Sequence, residues 1–588
     1  MKPIRRREFL GTALAGGAAL VAGNKSSAFN LIPHSNSTHR VDRPPQSADS
    51  RVEILTGEPV GQISPNIYSH FVEHLGGVVY DGIWVGEDSK VPNVGGIRKE
   101  LLEHMRRIKP GVVRWPGGCF ADSYDWRDGI GPRASRPRRT NFWRDDRGNR
   151  TSEAYKRLDS GPQKYEPNWF GTNEFMRFCK LTGAEAYFAA NLRSLPAQAF
   201  QQWVEYCNAP AGATTYSDLR AVAGDREPFG VQFWGVGNES WGCGGRLTPE
   251  EYAQEFRRFI AYVPRYGVDL KFIGAGPNSG DISWTRRFFA NMVEKGATQL
   301  NSMYGWALHY YANTTGKGNA FEYTTDEWYE LIARSDRMES LIEQHWAVMG
   351  ETDPQHRVKL IVDEWGAWHA QDPSLPAGYL FGYPGTLRDG LISGLTLDTF
   401  NRHADKVVMA NVAQLVNTIH SLFLAYEDKF LATPNFHVFE MYAAHQGGQS
   451  VRTLFSAPTV SYKRTPPNIP PGAQMSPQQR AQMAAQAQAT NATLWGLQGS
   501  ASLNGKQLTL TVVNPHATET RETEIIVRGA KAQSGQATTL TSTDIHAHNS
   551  FESPRALAPS SAAVRAPGGT IVHRFPAASV TRLQLALA

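Results

Sequence analysis

No run in this sequence is apolar for the ~20 residues that a helix needs to cross a bilayer. The apolar stretch from Gly11 to Gly23 stops short of that length, and no later stretch approaches it. A membrane anchor is thereby excluded from the expectations. Cysteine is scarce. Cys119, Cys179, Cys207 and Cys243 form no C-x-x-C pair, which removes the common zinc and thioredoxin-type signatures. A strong excess of either charge is missing too. The formal net charge is +5, but before residue 28 Lys2, Arg5, Arg6, Arg7 and Lys25 stand against Glu8 alone, so the balance beyond falls to about +1. Neither nucleic acid nor an anionic membrane is favoured as a partner. The seven arginines from Arg133 to Arg150 read as a solvated surface loop, tempered by Asp145 and Asp146. Internal repeats are absent, which sets repeat architectures aside.

What is present points to a folded protein. At 588 residues with 41% hydrophobic content, the chain can bury a large core and is too long for one ordinary domain. Arg6-Arg7-Glu8-Phe9-Leu10, the apolar run and then Ser26-Ser27-Ala28 have the form of a twin-arginine signal over residues 1–28. The expectation is export to the periplasm or beyond, with residues 29–50 as a linker. Proteins on that route are folded first in a reducing cytoplasm, so free thiols are expected.

From residue 61 to 446, short β-branched or aromatic runs alternate with helical stretches. Candidate strands are 66–71, 111–115, 184–189, 231–236, 271–275, 305–310, 358–362 and 406–409, with helices such as 249–262 and 326–346 between them. Eight such units predict a (β/α)₈ barrel, an α/β fold. After residue 446 the pattern becomes all-β. Asn504-Gly505 marks a hairpin turn, and strands are expected at 508–513, 524–527, 570–575 and 580–587, giving a jelly-roll-like sandwich over 447–588. Residues 51–60 are expected to join that sandwich. The proline-, glutamine- and alanine-rich segment 466–491 reads as a mobile insertion in it.

In a parallel barrel the C-terminal ends of the strands converge on one mouth. Phe233-Trp234-Gly235-Val236-Gly237-Asn238-Glu239-Ser240-Trp241 is an apolar strand ending in Asn-Glu between tryptophans, and Leu360-Ile361-Val362-Asp363-Glu364-Trp365-Gly366-Ala367-Trp368 repeats the theme. Cleavage of a glycosidic bond needs one carboxyl to protonate the leaving oxygen and another to attack the anomeric carbon or activate water. Aromatic faces suit the apolar faces of sugars. Two strand-end glutamates could instead be structural partners of arginines; two of them, each set among tryptophans, favour catalysis.

With these segments, Arg114-Trp115-Pro116-Gly117-Gly118 and Tyr124-Asp125-Trp126-Arg127-Asp128-Gly129-Ile130-Gly131-Pro132 resemble glycoside hydrolase family 51, the α-L-arabinofuranosidases. So do Ser69-His70-Phe71-Val72-Glu73-His74, Ala413-Gln414-Leu415-Val416-Asn417 and Asp544-Ile545-His546-Ala547-His548-Asn549. The likeness runs from about Val52 to the end, outside the insertion. It implies an exo-acting, retaining double displacement on arabinan- or arabinoxylan-type, plant-derived glycans, with Glu364 as nucleophile and Glu239 as acid and then base, their carboxyls about 5 Å apart. It further implies that Arg114 supports Glu364, that Asn238, Glu73 and Gln414 bind furanose hydroxyls, and that Tyr311, His309 and Trp143 line the pocket. No cofactor or metal is implied, and family members are often homo-oligomers. One position departs from the family pattern: Cys119 stands where an asparagine commonly meets the sugar, a poorer hydrogen-bond partner. Asp122 is a candidate to replace that contact, and a Cys119–Cys243 bridge at the mouth is the alternative to free thiols. Cys119 motivates a second reading, another retaining glycosidase such as an endoglucanase, β-xylosidase or different furanosidase. A non-catalytic glycan-binding protein would have lost a carboxylate, and both are present.

Overall fold

The computed structural model describes residues 48–143, 165–314, 318–375, 380–465, 491–566 and 571–588. The signal-like segment, most of the linker and residues 466–490 of the expected insertion lie outside these. So do Arg144, Arg147 and Arg150 of the arginine-rich stretch.

Eight parallel strands close into a barrel: β1 (Ser69–Phe71), β2 (Val112–Trp115), β3 (Glu185–Ala190), β4 (Phe233–Val236), β5 (Lys271–Gly274), β6 (Met303–Asn313), β7 (Lys359–Trp368) and β8 (Val407–Ala413), with β8 pairing back to β1. Each sequence-based strand overlaps one of these. The differences have local causes. Residues 65–68 form a 3₁₀ turn, because Pro65 opens it and Ser64 caps it by accepting from the Asn66 amide. Strands β6 and β7 run well past their expected ends and rise together above the rim. The expected helix 326–346 is two helices, Thr325–Ser335 and Arg337–Gly350, meeting at Asp336.

The remaining strands make an all-β module. Ser50–Gln62 lies parallel to Arg521–Arg528 and antiparallel to Gln449–Ser456. Gln498–Asn504 and Gln507–Asn514 pair with Asn504 opposite Gln507, so Gly505 and Lys506 form the tight turn, with Gly505 at φ +56. Nine strands are hydrogen-bonded in sequence around this sheet. Val564 and Ile571 come from its two edge strands, yet they share one apolar core with Leu510, Leu583 and Val52. The sheet is therefore folded over on itself as a sandwich.

Helix Leu387–Arg402 joins the two parts, and from Leu387 to Asn401 every residue is buried. One face packs on β7, where Trp365 meets Phe400. The other meets the sandwich through Asp398, which accepts from Ser500 (2.6 Å), Thr511 and Tyr442 (2.7 Å). A buried polar group is tolerated when it is fully paired, and three hydroxyl donors do that here. Arg136 of the arginine-rich stretch is likewise structural: its side chain is 4% exposed and paired with Glu174 at 3.0 Å, a departure from a solvated loop. Among the described residues no helix is long and apolar enough to cross a membrane.

Burial pushes the Asp398 carboxyl up to about 7, against the pull of its hydroxyl donors. A carboxyl raised in the folded state stabilises the fold at low pH, and that contribution is lost as pH rises through the folded value. Relative to Asp398→Asn, the parent should therefore lose stability between about pH 4 and 7 at up to about 1.4 kcal/mol per pH unit, levelling off above it. Calorimetric melts of both proteins across this range check the slope.

Candidate active site

Strand geometry places every second side chain inside a barrel. One apolar layer consists of Val112, Tyr187, Phe233, Ile273, Ala307, Ile361 and Met409. Two residues further along, the same faces carry Arg114, Gly235, His309, Asp363 and Asn411. The core thus becomes polar at the C-terminal mouth. Gly235 is needed at this level because a Cβ there would lie 2.8 Å from the Tyr187 hydroxyl. That hydroxyl donates to Asp363 at 2.8 Å.

A bulge then puts two consecutive acids on the inner side. Leu308 pairs with Val362 but His309 pairs with Glu364, so Asp363 is an extra residue on β7. Asp363 keeps the inward phase of Ile361, and Glu364 takes the inward phase of His309. Arg114, 1% exposed, binds both: Nη1 donates to Glu364 Oε1 at 2.9 Å and Nε lies 3.5 Å from Asp363 Oδ2. Its Nη2 donates to Asn238 Oδ1 at 2.6 Å, and its plane lies over Phe71 at 4.8 Å. Burial opposes the Arg114 charge, but Asp363 and Glu364 outweigh it and raise the pKa.

Glu364 also accepts from the Tyr311 hydroxyl on Oε2 at 2.8 Å. Glu239 stands opposite, just beyond β4, with its backbone in the left-handed region at φ +41 after Gly237 at φ +78. A non-glycine residue held in this region is strained, a feature that gathers at functional sites. A carboxylate oxygen of each glutamate and a His309 ring nitrogen lie within 4.8 Å of one another. His309 Nδ1 is 3.2 Å from Glu239 and 3.4 Å from Glu364. Burial raises the Glu239 pKa; the His309 hydrogen bond opposes this and the Glu364 charge adds to it. Burial works against the His309 charge, yet the two glutamates raise its pKa overall.

The other candidates surround this pair. Glu73 Oε1 accepts from the Phe120 amide (2.8 Å) and from Trp143 Nε1 (2.9 Å), and its Oε2 accepts from Gln414 at 3.2 Å. Gly117 permits the approach, since a Cβ there would lie 2.6 Å from Glu73 Cγ. Burial, helped by Glu364, lifts the Glu73 carboxyl to about 8. Glu73, Arg114, Cys119, Trp143, Asn238, Glu239, His309, Tyr311, Glu364 and Gln414 therefore form one connected cluster.

Several expectations need correction. Cys119 and Cys243 are not free thiols but a disulfide, with Cα atoms 5.6 Å apart; Cys179 and Cys207 are free and buried. Asp122 does not replace an asparagine contact. Its carboxylate is occupied by the backbone N–H groups of Leu192, Arg193 and Asn238 and so fixes the Asn238-Glu239 turn. Of the flanking tryptophans, Trp234 and Trp365 are buried in the core, because residues next to inward ones point outward. Trp368 stands edge-on to Tyr311, and Trp143, from outside these segments, stands edge-on to Phe381. His70 packs on Phe439, and His74 bridges Glu166 and Trp115. Donor groups that could hold a cation occur as Cys119–Glu239–Cys243 and Glu239–His309–Glu364. Sequence reading missed the roles of Tyr187, Asn411 and Asp122. Asp363 was visible only as the neighbour of Glu364, because the bulge that turns it inward has no sequence signal.

Comparison with known proteins gives a consistent picture. Residues 104–330 match the family model described as "Alpha-L-arabinofuranosidase 1 domain", and residues 363–579 match "Alpha-L-arabinofuranosidase C-terminal domain". An intracellular exo-α-L-arabinofuranosidase of Bacteroides ovatus is 31% identical over 546 residues, 92% of this chain and 96% of its own length. The crystal structure of the GH51 arabinofuranosidase from Xanthomonas axonopodis pv. citri superposes with a TM-score of 0.80 at 30% identity, covering 92% of this chain and 100% of that one. The arabinose complex of the Thermotoga maritima α-L-arabinofuranosidase gives 0.72 at 29% identity, with 92% and 100% coverage. These relatives overturn one expectation. The Bacteroides protein and those of Acetivibrio thermocellus and Bacillus subtilis are named intracellular, against export by the twin-arginine route to the periplasm or medium. Two arginines and a short apolar run are a weak compositional signal, whereas similarity over 546 residues compares whole folds.

Glu73 is expected to carry a proton at neutral pH, and Glu73→Gln should then change little, with melting stability within about 1 kcal/mol of the parent. Glu73→Ala should cost about 1–3 kcal/mol by leaving the Phe120 and Trp143 donors unpaired. In carbon-13 spectra of glutamate-labelled protein, one carboxyl should titrate near 8 and be missing from Glu73→Gln.

Proposed function

The chain belongs to the α-L-arabinofuranosidases of glycoside hydrolase family 51, and from that premise we propose that it releases terminal α-L-arabinofuranosyl residues from arabinan- or arabinoxylan-type glycans by retaining double displacement. The observation that carries the retaining mechanism is the approach of Glu239 and Glu364 oxygens to within 4.8 Å. Retention needs carboxyls about 5–5.5 Å apart, and a wider gap would admit the water of an inverting enzyme.

Glu364 is the nucleophile. Arg114 and Tyr311 hold one oxygen each and fix its aim, and the remaining lone pairs attack the anomeric carbon. Protonated Glu239, favoured by burial and by the facing Glu364 charge, gives its proton to the glycosidic oxygen. The glycosidic bond breaks and an ester joins the sugar to Glu364. Consumption of the Glu364 charge removes one cause of the raised Glu239 pKa. Glu239, now ionised, takes a proton from water, whose oxygen displaces Glu364 with net retention. Asn238, Glu73 and Gln414 bind the furanose hydroxyls. The exo preference is supported by the names of relatives, and the same names support an intracellular enzyme. Residues 61–446 carry the chemistry; 447–588 with 51–60 buttress the barrel through Asp398.

Glu364→Ala should abolish hydrolysis of aryl α-L-arabinofuranosides. Glu239→Ala should lower it by about 10²–10⁴-fold, with azide restoring rate on activated substrates as a glycosyl azide of retained configuration. Proton spectra of the first product formed by the parent should show the α-anomer. The β-anomer as first product, or parent-like turnover by either variant, would overturn the mechanism.

A further inference from the structure

The disulfide takes no part in the double displacement, yet it lies against the group that moves the proton. Cys119 Sγ is 3.8 Å and Cys243 Sγ 3.6 Å from Glu239 Oε2. A disulfide has no proton to donate, so in the oxidised protein these are packing contacts. Opening the bond changes their chemistry. The two sulfurs and one Glu239 oxygen then become three metal-donor atoms, all within 4.8 Å of one another.

Their arrangement matches a tetrahedral centre. Metal–sulfur bonds of about 2.3 Å and metal–oxygen bonds of about 2.1 Å give sulfur–oxygen edges of about 3.6 Å. The observed separations of 3.6 and 3.8 Å already have that size. Only the two sulfurs must part, and water can fill the fourth position. Neighbouring groups support such a site. Asn238 Nδ2 is 3.8 Å from Cys243 Sγ and points an N–H at it, which favours a thiolate. His309 holds the other Glu239 oxygen at 3.2 Å and steadies the carboxylate. Cys119 is 7% exposed and Cys243 half-buried, so a small reductant and an ion can reach the pair from the mouth.

We propose that Cys119, Cys243 and Glu239 form, after reduction of the disulfide, a binding site for a thiophilic divalent cation of the zinc class, and that its occupation stops catalysis. The inhibitory consequence rests on Glu239 as acid and base; the binding site does not. A dithiol of the kind that keeps cytoplasmic thiols reduced supplies two electrons and two protons. Its own sulfurs join as a disulfide, and the Cys119–Cys243 bond breaks to two thiols. The cation displaces both thiol protons to solvent, bonds to both sulfurs and takes the Glu239 oxygen. Glu239 then has no free carboxyl to protonate the leaving group. Oxidation removes the site and protects the enzyme from the ion.

The test uses full-length enzyme reduced with a phosphine, which takes oxygen from water to become its oxide while both cysteines leave as thiols. Reduced and oxidised enzyme are titrated with Cd²⁺ without air, and thiolate-to-metal absorbance is followed. The reduced parent should bind a single equivalent with that absorbance. The oxidised parent, and reduced Cys119→Ser and Cys243→Ser, should not. Zn²⁺ should lower arabinofuranoside hydrolysis by about tenfold or more in the reduced parent only, with recovery on adding a chelator. Equal absorbance in the oxidised parent or in the reduced serine variants would overturn the proposal and assign the ion to Cys179 or Cys207. Absorbance with unchanged hydrolysis would remove Glu239 from the ligand set and overturn the proposal as stated, whereas parent-like turnover by Glu239→Ala would overturn the acid and base role on its own.

Discussion

A single buried guanidinium organises the mouth of this barrel. Arg114 is 1% exposed and meets Asp363, Glu364 and Asn238 with its three nitrogens, while Phe71 covers its face. A lysine would bring one compact nitrogen where Arg114 spreads three over a rigid planar fork, so it could not reach the same three partners at once. Those partners come from β7 and the β4 turn, so one side chain sets the distance between the two carboxyl-bearing elements. Removing either partner of such a pair leaves an uncompensated buried charge, usually at a cost of about 3–5 kcal/mol. The geometry is thus built into the stability of the mouth.

The chemistry was legible in the sequence where it followed strand periodicity. Eight apolar runs ending in polar residues announced the barrel, and Glu239 and Glu364 stood out as acids closing such runs. Residues that work through irregular backbone were not legible. Asp363 faces inward because of a bulge between β6 and β7, and a bulge is set by pairing with the neighbouring strand. Asp122 binds three backbone amides from two distant loops, a role no local pattern encodes. Cys119 and Cys243 are separated by 124 residues, and their meeting follows only from barrel closure. Trp234 and Trp365 misled in the opposite sense. Trp365 follows Glu364 and Trp234 follows the inward Phe233, so both point to the opposite face of their strands and fill the core outside the barrel.

The sandwich bears on the same site from a distance. Strand β7 carries Asp363 and Glu364 on one face and Trp365 on the other, and Trp365 packs on Phe400 and Phe439. Phe400 belongs to helix Leu387–Arg402, whose far side is fixed to the sandwich through Asp398. A packed helix transmits displacement because interiors have little free volume. The long reach of β7 beyond the rim is therefore supported from behind, which an isolated barrel would lack.

Charge balance explains how five acids share this space. Glu73, Glu239, Asp363 and Glu364 lie around Arg114 and His309, while Asp122 is held by backbone amides beside Arg193, and crowding of buried carboxylates disfavours ionising all of them. Burial divides them. Glu73 is lifted to about 8 and Asp122 to about 7, and Glu239 is raised as well. The two that touch Arg114 are Asp363 and Glu364. Burial raises the Glu239 pKa and the facing Glu364 charge adds to it, while the His309 hydrogen bond opposes both. The two glutamates thus face one another in unlike surroundings: Arg114 and Tyr311 each hold one oxygen of Glu364, and Glu239 meets His309.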